Sequence, residues 1–300
     1  MRIVVTGGPY GQVLESLLEV GAATDHEIIP LGPPQLDLAG DGEAVREVLK
    51  AAAPEAIVSA AAYTAVDKAE TERELAFAIN AQGAGAVAEA ARELDVPLVH
   101  ISTDYVFDGA KSSPYVEEDV SGPMSVYGES KLAGEEAVLA AHGDAAILRT
   151  AWVYSPFSAN FVKTMLRLAS ERDEIGVVAD QHGNPTSALD IASGVIRVLE
   201  NLASSDDAAL RGIFHMTGSG DASWAEFAEA IFAASAAAGG PSARVRPIST
   251  SDYPTPAKRP TNSRLDSTKL ARVHGVRLPD WRKSTAVVVG RLVPSKQKAS

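Results

Sequence analysis

The chain opens on Met1-Arg2-Ile3-Val4-Val5-Thr6-Gly7-Gly8-Pro9-Tyr10-Gly11, and apolar residues recur with helical spacing in the segment that follows, 12–20. A short continuous apolar run such as Ile3-Val4-Val5 is typical of a strand buried on both faces of a parallel sheet. A glycine turn between such a strand and a helix lets a pyrophosphate approach the helix N-terminus, where backbone N–H groups and the dipole favour an anion. The stretch therefore predicts the first βα unit of a dinucleotide-binding sheet.

The glycine loop departs from the complete dinucleotide fingerprint. Gly8 and Gly11 supply its turn, but Leu14 stands where a third glycine would let the helix pack closely on the sheet. A bulky side chain there is expected to push the helix back and weaken the phosphate site. On this interpretation, Leu14→Gly should tighten cofactor binding.

Strands and helices alternate along the first half of the chain. Short apolar runs predict strands at residues 26–31, 56–60, 97–101 and 145–149. Helices are predicted at residues 41–52, at 67–94 with weak points at its glycines, and in the segment that begins near Tyr127. Right-handed βαβ crossovers between such elements predict an α/β fold with a doubly wound, Rossmann-like parallel sheet.

Beyond Val153 the alternation loosens. Helices are predicted at residues 161–172, 187–202 and 223–238, followed by a proline-rich stretch at 247–260. We therefore expect a dinucleotide-binding domain with the catalytic residues at 1–153 and a smaller, mixed substrate-binding lobe at 154–293, interwoven with the first. The basic tail, 294–300, is expected to be disordered.

Composition narrows the function classes. Of the 300 residues, 46% are hydrophobic and 22% charged, as in ordinary globular proteins. A formal net charge of -12 argues against binding nucleic acid through its phosphates, which needs a basic face. Cysteine is absent and the six histidines are scattered, so no disulfide, thiolate nucleophile or metal site is predicted. No apolar run approaches the ~20 residues that cross a bilayer and no secretory signal is recognisable, so we expect a cytoplasmic protein with no membrane partner.

A tyrosine and a lysine four residues apart supply candidate acid–base chemistry. Tyr127-Gly128-Glu129-Ser130-Lys131 begins a segment with helical composition, so the phenol and the ammonium project to one side of a helix. An ammonium beside a phenol favours the phenolate, so we expect the pKa of Tyr127 to fall below its ordinary value near ~10. A surface tyrosine and a solvated lysine would produce the same pattern, and such pairs arise often by chance.

The residues that follow three predicted strands bear on this choice. Ala60-Ala61-Ala62 would let a flat ring lie close to the third strand's end, and Ser102 and Thr103 place hydroxyls at the end of the fourth. Taken singly, the alanines also fit helix packing, and the hydroxyls fit a turn or a helix cap. After the second strand, Pro30-Leu31-Gly32-Pro33-Pro34 carries neither an acid for a ribose 2′-hydroxyl nor an arginine for a 2′-phosphate. NADPH and NADH therefore both stay open.

In combination these features resemble an extended short-chain dehydrogenase/reductase, and in detail the dTDP-4-dehydrorhamnose reductase family. The glycine loop, the alanines, the strand-four hydroxyls and the Tyr127–Lys131 pair occur in the order and at the spacings of that family. Further matching segments cover almost the whole chain, at residues 60–70, 100–109, 126–135, 149–154, 160–165, 180–186 and 259–265. The late segments separate this family from other nucleotide-sugar epimerases and dehydratases.

The resemblance implies a catalytic set and a cofactor site. Tyr127 would donate a proton to a keto oxygen, Lys131 would bind the nicotinamide ribose, and Thr103 would orient the oxygen. The cofactor would be NADPH or NADH. The residues implied to contact it are Gly8, Gly11, Gln12, Val13, Asp37, Leu38, Ala61, Ala62, Thr64, Ser102, Tyr127 and Lys131.

The resemblance also implies a nucleotide-sugar substrate. The expected reaction reduces the C4 keto group of dTDP-4-dehydro-L-rhamnose to give dTDP-L-rhamnose. A tryptophan offers a flat apolar surface to the deoxysugar, and arginines suit a diphosphate because their planar fork donates two hydrogen bonds. The residues implied to contact the substrate are Asp104, Tyr105, Val106, Trp152, Asn160, Arg259, Asn262 and Arg264. A half-buried core tryptophan and solvated loop arginines are the alternatives.

Other assignments stay open at this point. A homodimer is compatible with the resemblance, but the metal site that some relatives hold at a dimer contact is not expected, because the segment around Leu14 and Glu15 departs from their pattern. Reduction of another keto-deoxysugar nucleotide is disfavoured by residues 259–264. A non-catalytic, cofactor-binding regulatory subunit, like the relative that regulates methionine adenosyltransferase, is disfavoured by the intact Tyr/Lys/Thr set, although Leu14 leaves it room.

Overall fold

The computed structural model describes residues 1–8 and 10–293, so the predicted disorder of residues 294–300 lies outside the described residues. Its strands are β1 (Arg2–Thr6), β2 (Glu27–Leu31), β3 (Ala56–Ser59), β4 (Leu98–Thr103), β5 (Ala145–Thr150), β6 (Val153–Tyr154), β7 (Glu174–Val178), β8 (His182–Gly183), β9 (Thr186–Ser187), β10 (Gly212–His215), β11 (Ala222–Ser223) and β12 (Arg244–Ile248). Its α-helices are α1 (Gln12–Gly21), α2 (Gly42–Ala51), α3 (Val66–Ala69), α4 (Arg73–Phe77), α5 (Ala84–Leu94), α6 (Val126–Ala141), α7 (Phe161–Ala169), α8 (Ala188–Ser204), α9 (Trp224–Ala237), α10 (Thr268–His274) and α11 (Trp281–Leu292). A π-helical turn, Ala78–Gly83, joins α4 to α5.

The main sheet confirms the predicted α/β, doubly wound fold. Its strand order is β10-β5-β4-β3-β1-β2, and every neighbouring pair is parallel. The chain passes from β1 outward to β2 and then returns to the other side of β1 to form β3. Because the connections diverge there, a crevice forms at the carboxyl ends of β1 and β3, where open α/β sheets bind their ligands.

Helices cover both faces of this sheet. Side chains alternate along β1, so Ile3 and Val5 enter the core beneath α1 and α8, whereas Val4 enters the core beneath α2 and α5. Leu14 belongs to the first of these cores and is only 2% exposed. Its side chain therefore helps to pack α1 on the sheet, a role that was not predicted from the sequence.

Some predicted elements differ from those observed. The helix predicted over residues 67–94 is divided into α3, α4, the π-helical turn and α5. Gly83 closes that turn against the loop after β2, where an added Cβ would overlap the carbonyl oxygen of Leu38. The sequence prediction did not include β10, α10 or α11. Strand β10 is short and lies at the sheet edge, and its alternation alone is too brief to distinguish it from a loop.

A smaller lobe surrounds a third core formed mainly by α7, α9 and α11, with Phe227 and Trp281 among its buried residues. Three short strand pairs border it, namely β7 with β12, β8 with β11 and β6 with β9. The later part of the chain also supplies β10 to the main sheet and α8 to the core beneath it. The chain is thus interwoven, and a functional division at residues 153 and 154 stays a prediction. Within the described residues, no helix combines the length and apolar character needed to span a membrane.

Candidate active site

A cleft of about 810 Å³ opens at the carboxyl ends of the central strands. Its walls come from the loops after β1, β2, β3, β4 and β5 and from the start of α6. Most of the predicted site residues line it, namely Gly8, Gly11, Gln12, Val13, Asp37, Leu38, Ala61, Ala62, Thr64, Ser102, Thr103, Asp104, Tyr105, Tyr127, Lys131 and Trp152. The tertiary structure therefore brings together residues that are far apart in the chain.

Two residues expected to contact substrate have other surroundings. Val106 is fully buried and packs with Phe107, Tyr115 and Leu265, so it is a core residue rather than part of the cleft wall. Asn160 caps the N-terminus of α7, where its side-chain oxygen accepts a hydrogen bond from the Lys163 backbone N–H.

The late polar residues Arg259, Asn262 and Arg264 do not themselves line the cleft. Arg259 forms an ion pair with Asp67, at 2.9 Å between Nη2 and Oδ2. Asn262 donates to the carbonyl oxygen of Lys111 and accepts from Nε of Arg264, which borders a separate, smaller cavity of about 250 Å³. In this conformation these three side chains organise loops, and their predicted substrate contacts stay predictions.

The glycine loop has the backbone features of a phosphate site. Gly11 precedes α1, and no side chain caps the helix's first N–H groups. Gly11, Gln12 and Val13 line the cleft, so these groups are available to an anion there. Gly32 lets the loop after β2 approach this turn, since an added Cβ would overlap the carbonyl oxygen of Gly7. The amide of Gln12 donates to the carbonyl oxygen of Val153 and is therefore committed to the scaffold. The loop can thus present backbone donors to a pyrophosphate.

The cleft wall carries few charged side chains. Among its described residues these are Asp37, Asp104 and Lys131. Asp37 lies in the loop after β2, where its carboxylate accepts from the Ala39 backbone N–H at 2.9 Å. A carboxylate suits ribose hydroxyls and repels a phosphate. The sequence had shown no acid directly after β2, and the acid that reaches the cleft comes from this later position.

Tyr127 lies in the first turn of α6. Ser125 caps the helix by accepting from the Gly128 backbone N–H, and Gly128 lets the helix approach the backbone of Tyr105. The Tyr105 ring meets the Tyr127 ring edge-on, with centroids 5.6 Å apart. Burial raises the pKa of Tyr127 to about 12, whereas the neighbouring Thr103 hydroxyl acts to lower that pKa. The phenol is therefore protonated at neutral pH.

Lys131 lies one helical turn later and is 2% exposed. Its ammonium donates to the carbonyl oxygen of Ile101 at 2.8 Å and contacts Nε2 of His100 at 3.2 Å, both on β4. Burial lowers the pKa of Lys131 to about 8, and the Glu135 carboxylate opposes that shift. The expectation that this ammonium lowers the pKa of Tyr127 is wrong here, because burial of the phenol dominates and the ammonium is directed to β4.

Thr103 and Asp104 complete the group around the phenol. The Thr103 hydroxyl accepts from the Tyr105 backbone N–H at 3.2 Å and donates to Oδ1 of Asp104 at 3.1 Å. Asp104 is 2% exposed, and its Oδ2 has no hydrogen-bond partner in the described part of the chain. Burial raises the pKa of Asp104 to about 6. This buried carboxyl therefore holds the Thr103 hydroxyl in place, and its predicted contact with substrate stays a prediction.

A buried ion pair between α6 and β5 was not predicted from the sequence. Arg149 on β5 donates through Nε and Nη2 to the two carboxylate oxygens of Glu135, at 2.9 and 2.7 Å. The Ser102 hydroxyl also donates to Glu135. Glu135 follows Lys131 by one turn on α6. Nothing in the local sequence distinguishes these two charged residues from solvated ones.

The structure adds one residue to the cleft wall, Trp224, and one residue that supports the wall, Asn80. Asn80, in the π-helical turn, accepts from the Tyr63 backbone N–H at 2.7 Å and donates to the Ser130 hydroxyl at 2.9 Å, which ties the loop after β3 to α6. Trp224 stacks on Trp152, with ring centroids 3.6 Å apart, and both rings line the cleft. The partners in these contacts are far apart in the sequence, so the sequence gave no sign that Asn80 meets Ser130 or that Trp224 stacks on Trp152.

Comparisons with known proteins agree with this geometry. The family model described as the RmlD substrate binding domain matches residues 1–293. The chain is 54% identical over 293 residues to a dTDP-4-dehydrorhamnose reductase of Sinorhizobium fredii, with 98% of each chain covered. It is also similar to the crystal structure of a dTDP-4-dehydrorhamnose reductase from Clostridium acetobutylicum, with a TM-score of 0.89 at 37% identity over 96% of this chain and 98% of that one. A Bacillus anthracis dTDP-4-dehydrorhamnose reductase in complex with NADP gives a TM-score of 0.87 at the same identity and coverage. The chain therefore belongs to the dTDP-4-dehydrorhamnose reductase family.

Proposed function

We propose that this protein reduces the C4 keto group of dTDP-4-dehydro-L-rhamnose with NADPH or NADH to form dTDP-L-rhamnose. Family membership over residues 1–293 supports the substrate and the reaction. The observation that carries the proposal is the meeting of Thr103, Tyr127 and Lys131 at one cleft, beside a glycine loop suited to a dinucleotide.

The chain's own residues fit a nicotinamide cofactor, which supplies the hydride when it is bound. The uncapped first turn of α1 presents N–H groups to its pyrophosphate. Asp37 suits the ribose hydroxyls at the β2 side of the cleft, and Ala61 and Ala62 leave room for flat rings after β3. Lys131 offers an ammonium at the other end. A relative's complex with NADP supports the phosphorylated form as one cofactor.

Tyr127 supplies the proton that the keto oxygen needs as it becomes a hydroxyl. The phenol is protonated at neutral pH, since its pKa is raised to about 12, and an alkoxide is a stronger base than a phenolate. Thr103 lies beside the phenol and orients the same oxygen. The carboxyl of Asp104 accepts from the Thr103 hydroxyl and holds it in place, and the stacked Trp152 and Trp224 rings form an apolar wall for the deoxysugar. These site roles rest on geometry and chemistry.

The first experiment follows oxidation of each reduced cofactor by absorbance, with the 4-keto-6-deoxy-L-sugar nucleotide generated in situ. The wild-type protein should oxidise at least one cofactor. Tyr127→Phe keeps the ring but removes the proton donor, so kcat should fall by about 10²- to 10⁴-fold. Cofactor binding, measured by fluorescence titration, should be retained in this variant. No turnover by a folded protein that binds cofactor would refute the proposed reaction.

We also propose three properties from the sequence: a location in the cytoplasm, assembly as a homodimer, and separate cofactor-binding and substrate-binding roles for residues 1–153 and 154–293.

A further inference from the structure

A buried row of polar groups lies behind the catalytic lysine. On β4, His100 is 1% exposed, and its neighbour on β3, Ser59, is also 1% exposed. Nδ1 of His100 lies 3.0 Å from Oγ of Ser59, and Nε2 lies 3.2 Å from Nζ of Lys131. His100 does not line the cleft, and the function proposed above gives it no role.

The protonation of this row follows from what its members can donate. A lysine ammonium has only donors, so Nε2 of His100 must accept and carries no hydrogen. The hydrogen of the neutral ring then lies on Nδ1, which donates to the Ser59 hydroxyl oxygen. Burial and the neighbouring ammonium of Lys131 both lower the pKa of His100 well below its usual range, which agrees with a neutral ring.

The row also limits the orientations of Lys131. Two of the three ammonium N–H bonds are directed to Ile101 and His100 on β4, which leaves one for the cleft. We propose that His100 is a positioning residue, whose neutral ring holds the Lys131 ammonium charged and aimed so that its remaining N–H faces the cofactor. The catalytic part of this inference rests on the proposed function, but the hydrogen-bonding part does not.

Other charged groups near Lys131 must be separated from the effect of His100. Glu135 lies on the same helix and is paired with Arg149 of β5, and Asp104 follows β4. From α4, Arg73 pairs with the exposed Glu129 at the surface. None of these groups is altered by a substitution at position 100. A change in the titration of Lys131 in a position-100 variant therefore reports the loss of Nε2 of His100.

Two substitutions of similar polarity divide the ring's hydrogen bonds. His100→Gln places an amide oxygen at about the position of Nε2, so it keeps an acceptor for Lys131. His100→Asn is shorter and retains only the contact with Ser59. Ser59→Ala removes the outer hydrogen bond from the same buried region and leaves the acceptor in place, so it controls for general disturbance of the core.

The pKa of Lys131 is measured by ¹³C NMR on protein labelled at lysine Cε, with the resonance assigned by its absence in Lys131→Arg. A hydrogen bond to the charged form favours that form. His100→Asn should therefore lower the titration midpoint of Lys131 by about one pH unit. His100→Gln and Ser59→Ala should titrate close to the wild type. An unchanged midpoint of Lys131 in His100→Asn would overturn the inference. A higher midpoint would also overturn it, because it would mean that the ring of His100 donates to a neutral amine in the wild type.

Turnover gives a second readout. In His100→Asn, kcat should fall by roughly tenfold to a hundredfold with little change in the KM of the sugar nucleotide. As the pH is raised, activity should begin to fall at a lower pH than in the wild type, because Lys131 loses its proton earlier. His100→Gln should lose less. An equal loss in both variants, with no change in pH profile, would show a structural role only. A wild type that titrates as expected but reduces nothing would refute the proposed function and leave the hydrogen-bonding inference standing.

Discussion

The buried pair between Glu135 and Arg149 yields a prediction in which stability and the site are linked. Both side chains are 2% exposed, and two hydrogen bonds of 2.9 and 2.7 Å join the guanidinium to the carboxylate. Nη1 of Arg149 already has no hydrogen-bond partner within the described residues. Glu135→Gln keeps the size of the side chain and one acceptor oxygen but removes the charge. The guanidinium then remains buried without a counter-ion.

The expected cost follows from this geometry. Breaking a fully buried ion pair on one side costs about 3–5 kcal/mol, because the remaining charge is uncompensated. The amide oxygen of the new glutamine still accepts one hydrogen bond, so the lower end of the range, about 3 kcal/mol, is the better estimate. At about 2–4 °C per kcal/mol for a large domain, the melting temperature should fall by roughly 6 to 12 °C.

The measurement is thermal unfolding of the wild type, of Glu135→Gln, of Arg149→Met and of the double variant. The double variant removes both charges, so it should recover most of the stability that either single change loses. Glu135→Gln should also lower the pKa of Lys131, because the carboxylate now acts to raise it. A single variant as stable as the wild type, or a double variant no more stable than the singles, would refute the argument from burial.

The other predictions concern two residues on the proposed cofactor side of the cleft, Asp37 and Leu14. Asp37→Asn removes a carboxylate from the cleft wall, so the affinity for NADPH relative to NADH should rise by roughly fivefold. Fluorescence titrations with the two cofactors measure this ratio, and an unchanged ratio would show that Asp37 does not face the ribose. Leu14→Gly removes a side chain that is 2% exposed and places a glycine in α1, so the free energy of unfolding, measured in urea, should fall by about 3–5 kcal/mol. Cofactor binding should not become tighter. A variant that binds cofactor more tightly at unchanged stability would restore the original expectation from the sequence.

Much of the fold could be predicted because its signals are local. The apolar run at Ile3-Val4-Val5, the glycine turn and the helical spacing after it each depend on neighbouring residues, and together they predicted a parallel sheet. Tyr127 and Lys131 could be paired because four residues span one helical turn. The motif order then sufficed for the family. Strand β10 and helix α11 were missed, since short or weakly periodic elements gain their stability from tertiary packing.

The sequence by itself determined most elements of the main sheet, the family and the residue types of the proposed catalytic set. Only the tertiary structure decided their environments, because burial depends on all the elements packed around a group. It raised the pKa of Tyr127 where the Tyr–Lys spacing suggested a lower one, directed Lys131 to His100, and buried Leu14 in the core. A pKa and a packing role are set by neighbours that arrive from distant parts of the chain, and linear spacing does not identify those neighbours.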